Sequence, residues 1–346
     1  MKSLNILLNG VGRIGKAILK IASSNKLLNI VAINELNSNI QNIAYNINYD
    51  STYGRINDMF ETENDTIKNT THTIKIYNFD TLDKINLDNV DIIIDSSGTK
   101  VNILQLKTLP VKAIFLTHPN KDADINLILG VNETNLDIKK HKIISTSSCN
   151  ATALLPLLNI INDTFGIQSG DITTIHPLLN HQKTLDSGCI DSSNRDIKCN
   201  FEFGRSSTQN IIPSQTTTVT ACSYVLPYIN HNLLSSSSLR VPTSTVGVIN
   251  VVLNLQKQTT LNEISNILYK YEQKQKFDII KNNTAPLVST DFQKESFTTI
   301  IDHRFIELQN KNLLKIVVWY DNEWGYASKV VDIVEYFIKQ INKYND

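Results

Sequence analysis

The chain has no surplus of either charge. Thirty-three basic residues balance thirty-three acidic ones over 346 residues. That removes the electrostatic case for nucleic acid or an anionic membrane surface as partner. Long apolar runs are missing too, and none approaches the length of a membrane span. The N-terminus passes straight into an apolar strand pattern, so no secretory leader is expected. Cysteine is scarce, at positions 149, 189, 199 and 222, without a tight pairing pattern. A chain this long does not need disulfide staples. Internal repeats and low-complexity linkers are also lacking. These absences leave a cytoplasmic globular protein, long enough for two domains with a full core each.

What is present centres on Thr146-Ser147-Ser148-Cys149-Asn150-Ala151-Thr152. An apolar run ending at Ile144 leads into small hydroxyl residues, then one cysteine, then a helix-compatible run from Ala151 to Ile161. A strand that delivers a cysteine to the first turn of a helix puts its sulfur where peptide N–H groups point outward. Those dipoles favour a thiolate and can grip an oxyanion. The stretch alone is equally compatible with a buried, inert thiol.

A second pattern opens the chain. Leu4 to Leu8 is an apolar run that ends in Asn9-Gly10-Val11-Gly12-Arg13-Ile14-Gly15, and apolar residues then recur at helical spacing. Strand, glycine turn and helix in that order fit a dinucleotide: the glycines allow a tight turn, close approach of a pyrophosphate, and close helix–strand packing. A further strand, Ile30 to Ile33, ends in Asn34-Glu35. An acidic residue at about this distance holds adenosine ribose hydroxyls and repels a 2′-phosphate, so NAD is expected over NADP. An exposed loop charge is the other reading of Glu35.

The βα alternation continues through Asp91 to Ile94, closed by Asp95-Ser96-Ser97-Gly98, and Ala113 to Leu116. Tyr45 to Asp80 reads as hairpins or loops. The expectation is an α/β protein with a Rossmann-type, doubly wound parallel sheet over 1–148. After it, Asp171 to Ile175, Thr245 to Leu255, Phe297 to Ile301 and Leu313 to Trp319 read as longer strands, with a helix at Leu261 to Tyr271. Residues 149–324 are therefore expected to form an α+β catalytic domain with a mainly antiparallel sheet. A C-terminal helix, 325–341, is expected to pack back onto the first domain. Ser235 to Ser238 reads as an exposed loop tip.

Taken together, the motifs resemble the phosphorylating glyceraldehyde-3-phosphate dehydrogenases and their erythrose-4-phosphate dehydrogenase relatives. The resemblance runs from the glycine turn through Val31-Ala32-Ile33-Asn34, Gly130-Val131-Asn132, Ser148-Cys149, Thr173-Thr174-Ile175-His176, Gln209 to Pro213 and Arg240-Val241-Pro242-Thr243 to Trp319 to Tyr326. It implies Cys149 as nucleophile and His176 as general base. It implies Gly10, Gly12, Arg13, Ile14, Gly15, Glu35, Ser97 and Asn322 as NAD contacts, Asn322 meeting the nicotinamide carboxamide. Ser148, Asn150, Thr216 and Arg240 are the implied contacts for the phosphorylated aldehyde and inorganic phosphate, joined by His181, which stands where an aspartate is common and could supply positive charge instead. The implied reaction oxidises glyceraldehyde 3-phosphate through a thiohemiacetal and a thioester to 1,3-bisphosphoglycerate. The implied assembly is a homotetramer.

The phosphate positions depart from the family pattern. Asn150 replaces the usual threonine after the cysteine, Leu179 replaces a threonine three residues past the histidine, and Thr217 replaces a glycine. Erythrose 4-phosphate or another aldehyde, water in place of phosphate, or a non-catalytic NAD-binding scaffold are the alternatives these changes raise. The segment 187–204 is longer than in relatives and reads as an altered interface loop. Cys189 and Cys199, with His181 nearby, match no common zinc spacing, so no metal is expected.

Overall fold

The computed structural model describes residues 1–36, 38–189 and 201–345. These divide into two compact units: 1–127 with 134–146 and 327–346, and 128–133 with 147–326.

The first unit holds strands β1 (Leu4–Asn9), β2 (Leu28–Asn34), β3 (Glu61–Glu63), β4 (Thr66–Lys68), β5 (Thr73–Tyr77), β6 (Ile92–Asp95), β7 (Ala113–Leu116), β8 (Ile125–Asn126) and β9 (Ile143–Ser145). They form one sheet in the order β3-β4-β5-β2-β1-β6-β7-β9-β8. From β5 to β8 every neighbour is parallel; only β3–β4 and β4–β5 are antiparallel. Both β6 and β7 are buried along their whole length, as expected of apolar strands covered on both faces. Helices α1 (Arg13–Ala22), α2 (Ile40–Asn48) and α3 (Ile103–Thr108) connect strands of this sheet. The sequence between Tyr45 and Asp80 thus contains the end of a helix and a parallel strand besides the hairpin β3–β4. Asparagines mask that helix: Asn39 caps it and Asn48 closes it, while Ile43, Ala44 and Ile47 form its buried face.

The second unit holds α4 (Cys149–Phe165), β10 (Ile167–His176), β11 (Ile212–Ser214), α5 (Thr218–Val225), β12 (Leu234–Arg240), β13 (Gly247–Leu255), α6 (Leu261–Lys274), β14 (Ile280–Asn283), β15 (Thr299–Asp302), β16 (Glu307–Gln309) and β17 (Leu313–Tyr320). Its sheet runs β11-β12-β10-β13-β17-β15-β14, with β16 on β17. Most pairs are antiparallel; β10–β12 and β14–β15 are parallel. The alternating burial of β13 and β17 is that of a sheet with one packed face.

Ser235 to Ser238 is not a loop tip. It is the middle of β12, paired along its length with β10 and, from Ser238 onward, also with β11, with Ser238 buried. Serine has little intrinsic strand preference; pairing with β10 overrides that here. The final helix, α7 (Trp324–Asn345), groups with the first unit from Ala327 onward. Phe337 meets Phe115 there edge to face, with ring centroids 5.5 Å apart.

Candidate functional site

In the first unit the glycine turn is fixed by contact distances. Gly10 has φ +88°, a conformation few side chains tolerate, and a Cβ on it would lie 2.7 Å from the Ser97 Cα. A Cβ on Gly15 would lie 2.0 Å from the Gly10 carbonyl oxygen. Gly12 differs: a Cβ there would meet nothing within 4 Å. Gly12 is also the residue that opens α1, whose N-terminus has no side-chain cap and no acidic residue in its first turn. Uncapped N–H groups beside open space fit the pyrophosphate of a dinucleotide.

The side chains around this turn are not idle. The Glu35 carboxylate accepts the Val11 N–H at 2.7 Å. Arg13 lies 3.1 Å from Asp50, which Lys16 also reaches at 3.2 Å. Burial raises the Asp50 carboxyl, but the Tyr53 and Thr52 amides and the Arg13 and Lys16 charges hold it well below the usual range. Nothing in the residues around Arg13 signals this ion pair. Ser97 closes a turn after β6, its hydroxyl 2.8 Å from that of Thr99.

In the second unit, Ser147 has φ +61° and Ser148 caps α4, its hydroxyl accepting the Ala151 N–H at 3.2 Å. This tight entry sets Cys149 at the first helical position. Its sulfur lies 3.9 Å from His176 Nε2. His176 ends β10 and is buried, and its Nδ1 lies 2.9 Å from the Pro177 carbonyl oxygen. A carbonyl can only accept, so Nδ1 carries the proton and Nε2 is left as an acceptor facing the sulfur. Register places Arg240, the last residue of β12, directly opposite His176.

Electrostatics here favour a neutral pair. Burial pushes the Cys149 thiol up to about 11, against the pull of Arg240 and the Asn150 and Cys149 N–H groups; Glu323 pushes it further up. Burial and then Arg240 push His176 down to about 3. The helix N–H groups and Arg240 act toward a thiolate, as the helix-start position suggests, and burial outweighs them. Arg240 itself buries Nε and Nη1 without a hydrogen-bond partner. Two buried guanidinium nitrogens without a partner are costly, and an anion would satisfy both.

The other expected anion contacts are occupied or apart. Asn150 is buried; its Oδ1 accepts the Tyr320 hydroxyl at 2.6 Å, and its Nδ2 donates to the Thr218 hydroxyl at 3.1 Å. The Thr216 hydroxyl is 2.7 Å from that of Thr218. Ser148 is engaged as the helix cap. His181 is exposed, with its ring centroid 6.0 Å from that of Phe203. Leu179 turns its backbone N–H to Gln182 Oε1 at 2.8 Å, which leaves Gln182 Nε2 buried without a partner. Asn322 is buried, its Oδ1 taking bonds from Val246 N–H at 3.1 Å and the Thr245 hydroxyl at 3.3 Å. Its amide nitrogen is thereby set as the outward donor. Val246 holds φ +67°, an unusual state for a β-branched residue. The sequence singles out neither Tyr320, Thr218 nor Val246; Tyr320 lies inside a quoted motif, Thr218 directly follows Thr216 and Thr217, and Val246 has no signal. The part of the 187–204 segment over 190–200 lies outside the described residues.

Comparison with known proteins agrees with this geometry in two steps. The family model for the NAD binding domain of glyceraldehyde 3-phosphate dehydrogenase matches residues 4–103, and that for its C-terminal domain matches 148–322. The class is therefore a two-domain oxidoreductase that uses NAD. Glyceraldehyde-3-phosphate dehydrogenase 2 of Staphylococcus aureus strain MRSA252 is 36% identical over 342 residues, covering 96% of this chain and 95% of the relative. The protein of the same name from Staphylococcus epidermidis strain ATCC 12228 is 34% identical, covering 95% and 94%. The chain belongs to the glyceraldehyde-3-phosphate dehydrogenase family. Among the described residues no helix is long and apolar enough to cross a membrane.

Proposed function

We propose that this chain oxidises glyceraldehyde 3-phosphate to 1,3-bisphosphoglycerate, with inorganic phosphate as co-substrate, through covalent intermediates on Cys149. The observation that carries the reading is the Cys149–His176 pair, in which an unprotonated Nε2 faces the sulfur at 3.9 Å beside a partnerless Arg240.

The Cys149 thiol gives its proton to His176 Nε2 as sulfur adds to the aldehyde carbon. The Cys149 N–H and the newly protonated imidazole hold the resulting oxyanion, which takes the proton back as a thiohemiacetal hydroxyl. NAD, when bound, supplies the acceptor for the hydride lost from that carbon. His176 Nε2 removes the hydroxyl proton as the carbonyl reforms, leaving a thioester on Cys149. Phosphate oxygen then attacks the thioester carbon, the C–S bond breaks, and the sulfur regains a proton from His176. Arg240 pairs with the phosphate of the aldehyde. Gly10, Gly12, Arg13, Ile14 and Gly15 would hold the pyrophosphate, Glu35 the ribose, Ser97 the cofactor's edge, and Asn322 the carboxamide. The assembly we expect is a homotetramer, which mass measurement in solution tests.

The deciding experiment is a steady-state assay of the purified full-length chain with NAD, phosphate and glyceraldehyde 3-phosphate. NADH formation is expected; folded protein that forms none overturns the reading. A second reading, release of the acyl group to water, has one observation behind it: the Asn150, Thr216 and Ser148 polar groups are bonded within the protein. Turnover that is unchanged when phosphate is omitted selects it.

A further inference from the structure

Asn150 stands next to the nucleophile in the chain, yet its side-chain hydrogen bonds go to groups within the protein. Its Oδ1 accepts the Cys149 S–H, 3.6 Å from Sγ. The same oxygen takes the Tyr320 hydroxyl at 2.6 Å, and the amide nitrogen is drawn to Thr218 at 3.1 Å and so on to Thr216. With the Tyr320 hydroxyl donating to Oδ1 and the Thr218 hydroxyl accepting from Nδ2, the amide turns its oxygen toward sulfur. Tyr320 in turn depends on Gly247, its partner across β13 and β17. A Cβ on Gly247 would lie 2.5 Å from the Tyr320 ring, so only glycine lets the phenol lie where it reaches Asn150.

We propose that Asn150 is a positioning residue that holds the Cys149 S–H in a resting orientation, clamped by Tyr320 and Thr218, and is not a ligand of the attacking phosphate. The inference rests on Cys149 being the reactive thiol, but not on which aldehyde it takes. Besides Asn150, the groups facing the sulfur are His176 from β10, Arg240 from β12, and Tyr320 and Glu323 from the end of β17 and the turn after it. A carbonyl oxygen that accepts the S–H stabilises the neutral thiol against its ion.

The test is the pH profile of Cys149 alkylation by iodoacetamide in the full-length chain, measured without substrate, together with the phosphate KM in turnover. Asn150→Ala removes the acceptor, and its profile moves to lower pH by about one unit, or about tenfold faster alkylation at pH 7. Asn150→Asp puts a negative charge at the same place and moves the profile to higher pH. Tyr320→Phe keeps the shape, frees the amide to turn its nitrogen toward sulfur, and moves the profile down as Asn150→Ala does. Opposite shifts from alanine and aspartate are not what simple loosening of the site would give. An unmoved profile in Asn150→Ala and Tyr320→Phe, or a raised phosphate KM in Asn150→Ala with the profile unmoved, overturns the proposal. Because alkylation needs no aldehyde, a wrong substrate assignment leaves this result readable.

Discussion

Two helix N-termini are built for different work. At the start of α1, Gly12 offers no side-chain cap, and its surroundings are open. At the start of α4, Ser148 caps the Ala151 N–H, and a cysteine occupies the first helical position. On the proposed function, the bare end, which has no side-chain cap, receives the pyrophosphate. The capped end ties up one donor and keeps the N–H groups of Cys149 and Asn150 against the sulfur. A third helix, α6, has a full capping box from Thr260 and Glu263 and an ordinary structural start. A helix dipole is common to all three; what the first turn leaves unbonded decides its use.

The largest test of this contrast is chemical. Cys149→Ser should cut NADH formation at least about 10³-fold while NAD still binds, because a hydroxyl is a far weaker nucleophile than a thiol. Retained turnover would remove the capped end from the chemistry. His176→Gln should lose about 10²–10³-fold, as removal of a proton acceptor does, with alkylation of Cys149 also slowed.

The next test uses pH. With the thiol up at about 11 and the imidazole down at about 3, both groups are neutral at pH 7. The thiolate fraction, and with it iodoacetamide alkylation, should climb up to about tenfold per pH unit between pH 6 and 9. A plateau starting near pH 6 would mean that a thiolate–imidazolium pair forms in the free chain. The depressed imidazole also has a stability consequence. The unfolded chain takes up that proton first as pH falls, so stability is lost from about pH 6.5 downward.

Smaller effects separate the glycines. Gly12→Ala should leave thermal unfolding unchanged and weaken NAD binding, read by titration calorimetry. Gly15→Ala should destabilise by about 1–3 kcal/mol, because its methyl would strike the Gly10 carbonyl. If Gly12→Ala unfolds the protein and leaves NAD affinity alone, α1 is not the bare end. Smallest of all, Ser148→Ala should cost about 1 kcal/mol in denaturant unfolding through the lost cap.

The legible parts of the molecule are contiguous ones. Asn9 to Gly15 carries its own reason for a turn, and Ile92 to Asp95 carries its own reason for burial. The illegible parts depend on neighbours distant in the chain. Ser235 to Ser238 has no strand signature, yet parallel pairing with β10 makes it one and sets Arg240 beside His176. Asn150 read as an anion ligand from its place after the cysteine. Its actual partners, Tyr320 and Thr218, come from β17 and α5. Arg13 fits a pyrophosphate contact by position, and the fold also gives it Asp50.

By itself the sequence determined the family, the glycine turn, NAD as cofactor and the two kinds of sheet, and it singled out the thiol and imidazole that the fold brings together, because glycine sterics, apolar periodicity and short motifs act locally. Only the tertiary structure decided the protonation of the thiol pair, the partners of Asn150, and the unpaired Nε and Nη1 of Arg240. Burial and strand register fix these, and both are properties of residues brought together from distant parts of the chain.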